Sequence, residues 1–176
     1  LRELHNFLIP VQIPSDLRKN ILMKPKFPLN LPLRLAHKIE KNNLNDPIFK
    51  QFVPIIDEEV KGFGCIEPVQ DQKFRKEKKL LQKYRGRALL LTTGACAMHC
   101  RYCFRQNFPY EITEKHFDAE MRYLLSNPSI YEVILSGGDP LSLANDTIKN
   151  LFDQCNSIPH LQRVRFHTRF PIGIPE

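Results

Sequence analysis

Cys96-Ala-Met-His-Cys100-Arg-Tyr-Cys103 carries three cysteines in one short loop, separated by three and then two residues. Three thiolates converging from such a loop can each bind one iron of a [4Fe-4S] cube. The fourth iron then lacks a protein ligand, and an open metal position is the mark of a site where a small molecule coordinates. Zinc is the competing reading. Zinc sites usually pair cysteines two to four residues apart with a distant second pair, whereas Cys65 and Cys155 are singletons, although His99 could complete a four-ligand set. Five cysteines, an odd number with three in one loop, do not suit a secreted disulfide framework.

A second motif, Ser136-Gly137-Gly138-Asp139-Pro140, lies downstream. Paired glycines remove two β-carbons and let backbone approach a ligand closely, although a tight strand-to-helix turn also wants glycine.

The elements around these loops alternate. Arg87 to Thr93 is a short apolar run, as a strand covered on both faces would be, and the cysteine loop follows it. Thr113 offers an N-cap to a helix with Phe117, Met121, Leu124 and Leu125 on one face, stopped by Asn127-Pro128. A second strand, Tyr131 to Ser136, leads into the glycine motif. Asn145 or Asp146 caps a helix with Ile148, Leu151, Phe152 and Cys155 on one face, and Arg163 to Thr168 reads as a third strand. Strands joined by helices form parallel βα units, whose sites gather at the carboxyl ends of the strands. Both motifs sit at such ends.

Upstream, proline recurs from Ile9-Pro10 to Glu67-Pro68 and breaks any helix into short pieces, the best of them Leu33 to Lys41. Gln72 to Tyr84 is basic and helical in composition, and is expected to form a surface helix or arm leading to the first core strand. The expected organisation is an N-terminal helical and extended wrap with a basic arm over residues 1–85, then barrel strands over 86–176. The chain has 176 residues, 42% of them hydrophobic, and a formal charge of +7. That is an ordinary globular balance, with no apolar run of membrane-spanning length and no secretory leader, so a cytoplasmic location is the default. The net positive charge admits nucleic acid, a membrane surface or anionic small molecules as partners; no RNA-binding signature accompanies it.

The cysteine spacing, with Tyr102 before the last cysteine, resembles the radical S-adenosylmethionine (SAM) enzymes. Leu81 to Leu91, Cys100 to Tyr110, Leu135 to Leu141 and Ile158 to Ile172 more narrowly resemble the lysine 2,3-aminomutase family, nearest the bacterial branch serving elongation factor P. The resemblance implies a partial radical SAM barrel of the TIM type. It implies a [4Fe-4S] cluster on Cys96, Cys100 and Cys103, and SAM near Tyr102, Ser136, Gly137, Gly138, Asp139 and Thr168. Pyridoxal 5′-phosphate (PLP) would be held through its phosphate by Lys83 and Arg87, and Arg105 would hold the substrate carboxylate. No residue of this chain is expected to be catalytic in its own right.

The implied reaction is radical migration of the amino group of L-lysine to give β-lysine. The implied partners are a reductant such as flavodoxin or ferredoxin, and elongation factor P with its lysyl-transfer enzyme. Membrane and direct nucleic-acid contacts are not expected. The family's PLP-binding lysine and the acids that recognise the substrate side chain lie beyond the matching region, so the chain reads as an N-terminal fragment that binds a cluster at best and does not turn over. The alternatives are an aminomutase acting on another amino acid, such as glutamate, and a non-catalytic metal or nucleic-acid binding module.

Overall fold

The computed structural model describes residues 18–60, 62, 64–109 and 116–174. It divides into two compact units, Leu1–Pro68 with Ala97–Asn107, and Val69–Cys96 with Phe108–Glu176. The first division therefore falls at Pro68/Val69, and the segment from Ala97 to Asn107 belongs with the proline-rich region.

The second unit is an α/β layer built on a five-stranded sheet in the order β1 (Arg75–Glu77), β2 (Leu80–Tyr84), β3 (Arg87–Thr93), β4 (Glu132–Gly137), β5 (Arg163–Phe166). The β1–β2 and β2–β3 pairs are antiparallel, whereas β3, β4 and β5 are parallel, as βα units require. The basic stretch expected as a helix or arm is instead the β1–β2 hairpin. Leu80 and Leu81 pair with Leu90 and Leu89, and both are buried. Burying these two leucines outweighs the weak helical preference of the surrounding lysines.

The helix α3 (Asp118–Ser126) joins β3 to β4, and α4 (Asn145–Asn156) joins β4 to β5. They cover one sheet face, where Ala88, Leu90, Val133 and Leu135 meet Phe117, Leu124, Leu151, Cys155 and Ile158. Two positions expected on that face turn outward: Leu125 and Phe152 are exposed, since each lies one residue past the buried stripe. The expected Thr113 cap lies outside the described residues, as do the prolines at 10 and 14. Phe117 occupies the N-cap position of α3, and Ala144 that of α4 in place of the expected Asn145 or Asp146, both without a side-chain cap bond.

Charge is also buried in this unit. Glu120 of α3 accepts the backbone N–H of Lys79 at 3.1 Å and lies 4.0 Å from the Lys79 ammonium, which sits 4.2 Å from the Phe117 ring centroid and donates to the His116 carbonyl. The hairpin is thereby latched to α3. Glu132, fully buried at the start of β4, faces Arg165 at 2.7 Å and Arg163 at 3.4 Å from the neighbouring strand.

The first unit is held by short elements, α1 (Leu33–Ala36) and α2 (Pro47–Phe52). Asp46 caps α2 by accepting from the N–H groups of Ile48 and Phe49, both at 2.8 Å, with Pro47 at the first helical position. The unit buries Ile21, Ile39, Phe49, Phe52, Val53 and Met98. Among the described residues no helix is long and apolar enough to cross a membrane.

Candidate cofactor site

The carboxyl ends of β3, β4 and β5 are tied together by main chain. Beyond β3, the carbonyls of Thr93 and Ala95 accept from the N–H groups of Gly138 (2.6 Å) and Asp139 (2.8 Å). This contact explains the two glycines. A β-carbon on Gly137, which holds a φ of +121°, would stand 2.3 Å from the Thr93 carbonyl oxygen, and one on Gly138 would stand 2.1 Å from that of Ala95. The glycines admit the chain leading to Cys96 at close approach. Ser136 is buried in the sheet, and its carbonyl accepts the hydroxyl of Thr92 at 3.0 Å.

Asp139 joins this edge to β5. Its Oδ1 accepts from the N–H of Leu141 (3.0 Å) and the hydroxyl of Thr168 (2.6 Å), and its Oδ2 from the N–H of Arg169 (2.8 Å). Thr168 in turn accepts from the N–H of Phe170 at 3.0 Å. Of the expected SAM contacts in this unit, the structure thus brings Gly137, Gly138, Asp139 and Thr168 together beside the chain entering Cys96.

Lys83 and Arg87 do not reach that edge. Both lie at the amino-terminal end of β3, where Tyr84 pairs with Arg87, about 20 Å from the cysteine end by strand rise. The Lys83 ammonium donates to the Val69 carbonyl at 3.1 Å and lies 5.0 Å from the Phe74 ring centroid. A phosphate held by this pair would sit away from the loops that follow β3, β4 and β5.

Cys100 and Cys103 belong to the first unit. Cys103 donates its N–H to the Cys100 carbonyl at 3.0 Å, closing a turn that opens a short 3-10 helix, Phe104–Asn107. Tyr102 exposes its ring on this turn, and the Arg105 guanidinium stacks 4.6 Å from the Phe104 ring centroid. Met98 is buried, in keeping with a packing role. His99 stacks on Phe27, and Arg101 forms an ion pair with Glu58.

The donor set suits a cluster in kind: Cys96, Cys100 and Cys103 are half-buried, and none is in a disulfide. Among the described residues no three His, Cys, Asp or Glu side chains are gathered closely enough to hold a metal ion.

Residues 84–164 match the family model of the 4Fe-4S single cluster domain. Over 166 residues the chain is 38% identical to the L-lysine 2,3-aminomutase of Haemophilus influenzae, covering 92% of this chain and 49% of that protein. Over most of its own length the chain is thus similar to a protein named L-lysine 2,3-aminomutase. The enzyme of the same name from Escherichia coli is 37% identical over 86% of this chain and 45% of its own length, and that of Bacillus subtilis 29% identical over 100% and 39%. The chain spans about half the length, or less, of the curated relatives it matches.

Proposed function

We propose that the chain forms the cluster- and SAM-binding part of a radical SAM L-lysine 2,3-aminomutase, an isomerase that converts L-α-lysine to β-lysine. The observation that carries this reading is the 38% identity over 92% of the chain to an L-lysine 2,3-aminomutase. The three-cysteine loop at the end of β3, within a 4Fe-4S domain match, supports it.

When bound, the cluster and SAM supply radical chemistry and PLP supplies the carrier for the migrating amino group. The chain's own residues would bind and position. Cys96, Cys100 and Cys103 would each present a thiolate to one iron. Tyr102 offers an exposed aromatic face next to Cys103, and Arg105 offers a planar fork suited to a carboxylate. Asp139 and Thr168 would hold the β4 and β5 loops rigid beside the chain entering Cys96, so that SAM meets a fixed wall. Lys83 and Arg87, at the amino-terminal end of β3, would offer two cations to the phosphate of PLP. A cytoplasmic setting, a flavodoxin- or ferredoxin-type reductant, and delivery of β-lysine to elongation factor P through its lysyl-transfer enzyme complete the proposal.

The test is anaerobic reconstitution with iron and sulfide, followed by electron paramagnetic resonance of the reduced protein with and without SAM. A reduced [4Fe-4S] signal that SAM perturbs, and conversion of lysine to β-lysine when residues corresponding to the rest of the relatives' length are present, are the expected results. Zinc retained in place of a cluster would overturn the reading.

A further inference from the structure

The residues on either side of Cys100 are gripped by two separate segments of the proline-rich region. We propose that residues 20–59 are a positioning platform for the cysteine loop, with Phe27, Glu58, His99 and Arg101 as its positioning side chains. The proposal rests on the iron-sulfur reading above and gives the N-terminal region a task within it.

The grip alternates along the loop. The N–H of His99 donates to the Asn30 carbonyl and that of Arg101 to the Gln51 carbonyl, each at 2.8 Å. His99 is fixed as a side chain as well. Its Nδ1 lies 2.8 Å from the Pro28 carbonyl, and its ring stacks on Phe27 with centroids 4.6 Å apart and planes inclined by 23°. A carbonyl can only accept, so Nδ1 carries the proton in this pairing. Arg101 Nε pairs with Glu58 Oε1, which also accepts the N–H of Ile55 at 3.0 Å. Further along, the Lys26 ammonium reaches the Asn107 side chain at 3.3 Å.

The prolines account for the available acceptors. Pro28 and Pro32 keep residues 27–32 out of any helix, so the carbonyls of Pro28 and Asn30 are not consumed by a local ladder. The gripping segments are themselves braced. Ile21 bridges Ile55, Leu22 donates to Pro54 and Ile56 to Asn20, and Phe49, Phe52 and Val53 are buried beneath. With the backbone held at 99 and 101, the Cα of Cys100 is fixed before any iron arrives. Cluster assembly then orders side chains rather than a whole loop, which is the sense in which preorganisation favours binding.

The experiment compares the full chain with four variants, Glu58→Arg, Arg101→Glu, the combined swap, and Phe27→Leu. Each is reconstituted anaerobically. Iron per chain, the visible absorption of the cluster, and the rate of cluster loss to an iron chelator are measured, with a thermal melt of each metal-free form. Each single charge reversal is expected to speed cluster loss by about fivefold to tenfold, the scale of one half-buried ion pair replaced by like charges. The swap should recover part of the parent rate, because it restores opposite charges across the same pair while leaving the Ile55 N–H without its acceptor. Phe27→Leu keeps apolar volume, loses the stack, and is expected to speed cluster loss with little change in the melt. Equal loss rates in the parent, both single reversals and Phe27→Leu would overturn the platform while leaving the cluster reading intact. A parent that takes up no cluster would overturn both.

Discussion

Replacing Asp139 by asparagine changes a single atom of the site and tests its central bond network without any cofactor. The carboxylate is nearly buried and accepts three hydrogen bonds, from Leu141 N–H, Thr168 Oγ1 and Arg169 N–H. Hydrogen bonds to a charged group contribute about 1.5–3 kcal/mol each, neutral ones about 1 kcal/mol. In the best orientation, the asparagine oxygen keeps Leu141 and Thr168 as neutral bonds, losing about 1 kcal/mol in all. Its Nδ2 then faces the Arg169 N–H, donor against donor, and about 2 kcal/mol more is lost. Asp139→Asn should therefore destabilise the metal-free chain by about 3 kcal/mol, a large part of a typical 5–15 kcal/mol. Urea unfolding followed by far-ultraviolet circular dichroism, with SAM and iron absent, measures it. A loss under about 0.5 kcal/mol would refute the assignment of Asp139 to the loop network. Thr168→Val is expected to cost about 1–2 kcal/mol, and the double variant less than the sum, because the two share a bond.

Three further outcomes follow from the same structure. Gly138→Ala drives a β-carbon into the Ala95 carbonyl, backbone against backbone, and should cost about 2–3 kcal/mol in the same urea titration. Burial pushes the Cys155 thiol from 9.0 up to about 11, so its contribution is whole below pH 9 and is lost as pH rises towards 11. That loss should reach about 2–3 kcal/mol, and Cys155→Ala should flatten the alkaline limb of a stability-against-pH curve. Lys79→Met strands the buried Glu120 carboxylate, and an unfolding measurement should show a loss of about 3 kcal/mol. Adding Glu120→Gln should recover part of it.

The readable parts of the fold were those where apolar pattern and turn chemistry agree. Arg87 to Thr93 emerged as β3 with the same limits, because a strand with buried residues on both faces reads as one apolar run. The hairpin at 75–84 was not legible, since its lysines mask a pair of leucines whose burial becomes apparent only with β3 beside them. The glycine pair was legible as a need for close approach; what approaches could not be read, because the Ala95 carbonyl arrives from another strand's loop. Glu132 gave no signal either. A glutamate opening an apolar run looks like a strand start, and only parallel register brings Arg163 and Arg165 alongside it. The grip on His99 and Arg101 comes from backbone carbonyls at 30 and 51, atoms that every sequence has.

The geometry also bears on whether one carboxylate can serve both fold and ligand. An ionised carboxylate offers about four lone-pair positions. Two on Oδ1 and one on Oδ2 of Asp139 are taken by Leu141, Thr168 and Arg169. One position on Oδ2 remains in count, enough for a single contact from an ammonium group such as SAM's. A ligand binding there would meet an oxygen already fixed by three donors, and would add a fourth without moving it. The rigidity that Asp139 lends to the β4 and β5 loops would then be the condition for the binding role proposed for it rather than a competitor to it.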